Sequence, residues 1–135
     1  MEAFAEYGHA IAALAGFALL MTVLTALSVV GRGEDQRTAS GAVKRDYANP
    51  VYRRSRALGN AVESAAPFAM ATLAAILAGA SPFWVNVLAS TFLAARVLMA
   101  VVHIGTTIEP LRSIFWTVGM VCVIALAVLG VLAAI

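Results

Sequence analysis

Four long runs of apolar residues, separated by three polar breaks of unequal size, organise this 135-residue sequence. A helix needs about 20 apolar residues to cross roughly 30 Å of hydrocarbon, and each run is that long. The first covers about 4–30, the second 50–80, the third 82–106 and the fourth 110–134, with a polar loop over 31–49. Asn49-Pro50 and Ser81-Pro82 each set an N-cap residue before a proline, whose missing N–H is harmless at the first helical position. Pro110 is placed to open the fourth helix in the same way. Pro67 lies inside the second run, where it removes one backbone hydrogen bond and favours a kink that neighbouring helices tolerate. The pattern predicts an all-α membrane protein, a single four-helix transmembrane bundle.

Polar residues interrupt these runs in an ordered way. In the second run Arg53, Arg56, Asn60, Glu63 and Pro67 fall within an arc of roughly 80° on a helix that advances about 100° per residue. Ionisable groups cost about 2.5–3.5 kcal/mol each at the centre of a span, so a stripe of this kind lines a pocket or joins helices. The third run carries Arg96 and His103 on one face. Arg96 lies roughly 15 Å from the end of its span, deep enough that a permanently charged guanidinium needs a partner. Glu63 is the one acidic residue in the body of any span, which makes a Glu63–Arg96 ion pair the expected solution. A ligand-binding role for either residue is compatible with that pair. His103, about one turn from the end of its helix, reads first as a hydrogen-bonded interfacial residue.

Composition narrows the class further. Charged residues make up 12% of the chain, against about 25% in soluble domains, and 62% is hydrophobic. Seven of the nine basic residues, Arg32, Arg37, Lys44, Arg45, Arg53, Arg54 and Arg56, sit in or just after the first loop. The positive-inside rule then puts that loop in the cytoplasm and both termini on the opposite side. Glu109 and Arg112, in the short third connection, come to the same cytoplasmic face. The net charge of +2 follows from this asymmetry and does not suggest nucleic-acid binding. The acidic N-terminus and long first run do not resemble a cleaved signal peptide. Cys122 is the single cysteine, which excludes an intrachain disulfide and leaves it a small packing residue. His9 and His103 belong to opposite ends of the bundle, and no metal-ligand spacing occurs, so no metal is expected.

Arg112 and Ser113 open the fourth helix, whose first-turn N–H groups favour an anion. With Arg53, Arg56 and Asn60 they would form a cationic, donor-rich pocket suited to a small ligand bearing carboxylates. Contact with anionic headgroups is the competing reading, and it fits Arg53 and Arg54 better than Arg56, Asn60 or Arg112.

The run Arg56-Ala57-x-x-Asn60-x-x-Glu63-x-x-x-Pro67-Phe68 resembles the second-helix signature of the MAPEG family, the membrane-associated proteins in eicosanoid and glutathione metabolism. Arg96 to His103, and Gly105 to Pro110-x-Arg112-Ser113, are similar to the corresponding part of microsomal prostaglandin E synthase and glutathione transferases. The resemblance covers nearly the whole chain. It implies a homotrimer of four-helix protomers, with glutathione as co-substrate between protomers near the cytoplasmic face and a lipophilic substrate entering from membrane lipid. On this sequence it implies that Arg56, Asn60 and Glu63 contact glutathione, with Arg53, Arg96 and His103 in the same binding region. Arg112 would hold or activate the thiol, assisted by Ser113. His103 stands where glutathione-using members usually carry tyrosine, Met99 where some carry histidine, and Leu58 where histidine or glutamine is common.

Three functions are compatible with these features. A glutathione-dependent transferase or peroxidase acting on lipophilic electrophiles fits best. The alternatives are a non-catalytic lipid- or partner-binding protein of the same fold, and a four-span multidrug transporter. Transporters of that type rely on a glutamate within the first span, and this chain has none deeper than Glu6.

Overall fold

A computed structural model describes residues 2–135 and contains four long helices: α1 (Gly8–Val29), α2 (Pro50–Leu77), α3 (Pro82–Gly105) and α4 (Glu109–Ala134). All four are long and apolar enough to cross a membrane, the first span including part of the preceding 3-10 turn. The predicted boundaries agree within a few residues, except that Glu2–Tyr7 is 3-10 rather than α-helical. Two short turns and one folded loop connect the helices, so neighbours in sequence run antiparallel. α2 and α3 form the centre, and α1 and α4 each pack against both.

Small and aromatic residues set how closely these helices approach. Phe17, Phe68 and Phe92 come from α1, α2 and α3 and meet in the core, with Phe68 and Phe92 stacked at 3.8 Å and Phe17 edge-on to both. Alanines fill much of the remaining interior, including Ala10, Ala75 and Ala89, which expose no surface. Gly130 lets α4 approach α2 closely: a Cβ there would lie 3.1 Å from the backbone nitrogen of Ala75. Small residues of this kind permit the dispersion contacts and polar links on which helix association in lipid depends.

The helix ends follow from local chemistry. Asn49 caps α2 as predicted, its Oδ1 accepting from the Val51 N–H at 2.9 Å. Ser81 does not cap α3 with its side chain. Instead, Gly79 adopts φ +71° and closes α2, with its N–H donating to Ile76 and the Ala80 N–H to Ala75. This is a Schellman turn, and it leads directly into Pro82. α2 runs unbroken through Pro67.

The terminal end of the bundle is joined by polar links between distant residues. Tyr7 donates to the Ala80 carbonyl at 2.5 Å, while Asn86 accepts from the Ala10 N–H and donates to the Glu6 carbonyl. Ala10 lies in the first turn of α1, so Asn86 satisfies a helix-end donor from a neighbouring helix. At the opposite end, the loop after α1 folds into a short hairpin. Arg37 bridges Val43, Lys44 N–H donates to the Gln36 carbonyl, and Gln36 in turn accepts from Asn49 Nδ2. Arg54 donates to the Val30 carbonyl at 2.6 Å and so caps the end of α1. The loop is thereby folded over the same end of the bundle as the starts of α2 and α4.

Candidate functional site

The polar residues of α2, α3 and α4 converge at the loop end of the bundle. Arg56 and Asn60 from α2, Met99 and His103 from α3, and Glu109, Arg112 and Ser113 from α4 line a cleft of about 210 Å³. Tyr47 from the loop and Trp116 from α4 complete its walls. Each helix reaches the cleft through its own register. Arg56 and Asn60 are four residues apart, as are Met99 and His103 and also Arg112 and Trp116, so each pair shares a helix face.

Arg112 is the most constrained cation in this cleft. It is 9% exposed, and its guanidinium lies over the Tyr47 ring at 4.4 Å from the centroid. Its Nη1 is out of contact with solvent and has no hydrogen-bond partner among the described residues. A buried, unpaired guanidinium N–H is costly, and it is a ready donor for an anion. His103 is 3% exposed, and both of its ring nitrogens are likewise buried without a partner among the described residues. Asn60 donates to the Arg56 carbonyl one turn back, which leaves its amide oxygen free to accept. Ser113 is exposed, and its hydroxyl donates to the Glu109 carbonyl at 3.2 Å.

Three residues of the predicted site lie outside this cleft. Arg53 does not line the cleft. Its Nε donates to the Ile104 carbonyl at 3.0 Å, and its Nη1 donates to Tyr47 and Ala48 at 2.7 and 2.9 Å. It is a clasp joining the loop, α2 and the end of α3. Glu63 also lies outside the cleft, facing Arg56 across 3.8 Å with its side chain 62% exposed.

Arg96 is the third. The expected Glu63–Arg96 pair does not form: the one ion pair among the described residues is Arg56–Glu63. The reason lies in the direction of the two side chains. Arg96 is buried between α3 and α4, where Nη1 meets the Met99 sulfur at 3.3 Å and Nη2 the Met120 sulfur at 3.7 Å. Its guanidinium also lies 5.1 Å from the Phe92 ring centroid. Gly119 makes the space, since a Cβ there would fall 2.9 Å from Nη2. Polarisable sulfurs and an aromatic face take the role assigned to a carboxylate.

The MAPEG family model matches residues 10–132, which includes every residue lining the cleft. The chain belongs to the MAPEG family. No curated protein matches it. The four-helix arrangement is therefore the MAPEG fold, and the chain is a multi-pass membrane protein. The family typically binds glutathione, and many of its members are glutathione transferases or peroxidases.

Tyr47 and Trp116 line the cleft without having been singled out in the sequence, and Glu109, expected only at this face of the membrane, lines it too. Trp116 had a legible signal, because it follows Arg112 by one helical turn. Tyr47 had none, since no periodicity fixes where a loop side chain will lie.

Proposed function

We propose that this protein is a glutathione-dependent transferase or peroxidase acting on lipophilic electrophiles, with glutathione held in the cleft at the loop end. The observation that carries this reading is the state of Arg112, a buried guanidinium with an unpaired N–H in the wall of a cleft that also holds Arg56 and Asn60. A thiolate is the nucleophile in thiol transfer, and a nearby guanidinium lowers the cost of forming it. Arg56 would take a glutathione carboxylate, and Asn60 would exchange hydrogen bonds with the peptide backbone. Ser113, one residue from Arg112, would donate to the sulfur once its hydroxyl turns away from the Glu109 carbonyl. The cleft also contains Glu109, a carboxylate available to the ligand's ammonium group.

An apolar groove supports the second substrate. It has a volume of about 580 Å³ and runs along α4 past Ile114, Val118 and Val121, beginning at Ser113. Because Ser113 lines both spaces, an electrophile arriving through lipid would meet the thiol at the top of the groove.

The assembly we propose is a homotrimer with the loop on the cytoplasmic side. Glu63 supports it: an exposed carboxylate on a membrane span is poorly suited to lipid, and a second copy of the chain would cover it. The basic loop supports the orientation.

Conjugation of glutathione to a generic aromatic electrophile, measured on the purified protein in detergent, tests the reading. Arg112→Ala should depress kcat more than binding, because thiolate stabilisation is greatest in the reacting state. Asn60→Ala should chiefly raise KM. A wild-type protein with no thiol-dependent turnover and no glutathione binding would instead favour a lipid- or partner-binding role for the same cleft.

A further inference from the structure

Arg112 raises a physical problem that the proposed chemistry alone does not solve. An arginine side chain carries about 2 kcal/mol of rotamer entropy, and a catalytic guanidinium must nonetheless be held still. Proteins commonly hold arginine with a carboxylate, but that consumes its N–H groups and cancels its charge. Among the described residues Arg112 has neither an ion-pair partner nor a hydrogen bond to the protein. Its guanidinium lies instead over the face of Tyr47, 4.4 Å from the ring centroid.

We propose that Tyr47 is a positioning residue: its ring, carried on a backbone that Arg53 clasps, holds the Arg112 guanidinium in the wall of the cleft while leaving the N–H edge free for an anion. Stacking on an aromatic face restrains the plane of a guanidinium through its π cloud, so it fixes the group without taking up its donors. The backbone that carries the ring is clasped, although the side chain is 40% exposed. Arg53 Nη1 donates to the carbonyls of Tyr47 and Ala48, and Arg53 Nε is tied to Ile104 at the end of α3. The Tyr47 ring also packs edge-on against Tyr52, with centroids 5.0 Å apart, and lies 6.0 Å from the His103 ring. A loop side chain is thereby linked to α2 and α3 at the point where it meets α4. The ring rather than the hydroxyl does the holding, so phenylalanine should replace Tyr47 and leucine should not. This inference deepens the proposed thiol chemistry and rests on it for its catalytic meaning, but the stacking can be measured without glutathione.

The test is the rate at which phenylglyoxal, an arginine-selective reagent, modifies Arg112 in the full-length protein in detergent. Peptide-resolved mass spectrometry would follow Arg112, with exposed Arg45 as the internal reference. Wild type and Tyr47→Phe should protect Arg112 to a similar degree. Tyr47→Leu should raise its modification relative to Arg45 by about threefold or more, the factor a modest cation–π contact supplies. Arg53→Gln, which releases the clasp but keeps the ring, should raise it in the same direction and serves if the leucine variant unfolds. In the conjugation assay Tyr47→Leu should lower kcat with a smaller change in KM, and Tyr47→Phe should restore kcat. Equal Arg112 modification in wild type, Tyr47→Leu and Arg53→Gln would overturn the positioning role, whatever the turnover. Protection that depends on the ring, in a protein with no glutathione turnover, would leave the stacking intact and overturn the transferase reading alone.

Discussion

Replacing Arg96 with methionine and Glu63 with glutamine, singly and together, separates two arrangements of charge inside the bundle. If the two residues formed a buried ion pair, either replacement would leave an uncompensated charge and cost about 3–5 kcal/mol. In the structure Arg96 is 3% exposed and meets sulfur and an aromatic ring, while its Nε has no hydrogen-bond partner. Arg96→Met would lose a cation–π contact of about 0.5–2 kcal/mol. It would also relieve an unsatisfied buried donor, worth about 1–3 kcal/mol. These terms oppose one another, so the net effect should run from about 1 kcal/mol destabilising to about 2.5 kcal/mol stabilising, well short of the loss of a buried ion pair. Glu63→Gln breaks only a loose, half-exposed contact with Arg56, worth no more than about 1 kcal/mol. Thermal and denaturant unfolding of the four proteins in one detergent, at constant oligomeric state, completes the cycle. The coupling energy should be below about 0.5 kcal/mol, as for residues that do not touch. A coupling near 3 kcal/mol would refute the geometry and restore the direct pair.

Two further outcomes test the packing. Gly130→Leu places side-chain atoms where Ala74 and Ala75 already stand, with Cβ only 3.1 Å from backbone nitrogen. It should lower stability by about 1–3 kcal/mol in denaturant titration, the usual range for overpacking. Asn49→Ala removes both the α2 cap and the link to Gln36, and should cost about 1 kcal/mol or somewhat more in the same titration.

The fold was largely legible because membrane spans announce themselves by length and apolar content. The four runs, the Asn49-Pro50 start and the basic loop each have a direct physical meaning in a bilayer. The polar constellation was partly legible for the same reason. Arg56, Asn60, His103, Arg112 and Ser113 are anomalous in apolar helices, and they meet in one cleft. Helical periodicity gives the angle of a side chain about its own axis but not what the facing helix presents there. Arg96 shows the consequence, since Met120 and Gly119 on α4 decide its surroundings and neither looks like a partner for a cation in sequence. Arg53 shows another: its position on the polar stripe was correct, but its task depends on three carbonyls set by the fold of the loop and the end of α3. Tyr47 depends on the same loop fold and could be found only in three dimensions.

If Arg112 serves a thiolate in the cleft, the bound thiolate itself should be observable. Ultraviolet difference absorbance on mixing the protein with glutathione at neutral pH reads that species directly, because a thiolate absorbs where a thiol does not. Wild type should develop the thiolate band in proportion to bound glutathione, and Arg112→Ala should bind the peptide but lose most of the band. Saturating glutathione binding with no thiolate band in wild type, or an undiminished band in Arg112→Ala, would contradict the account.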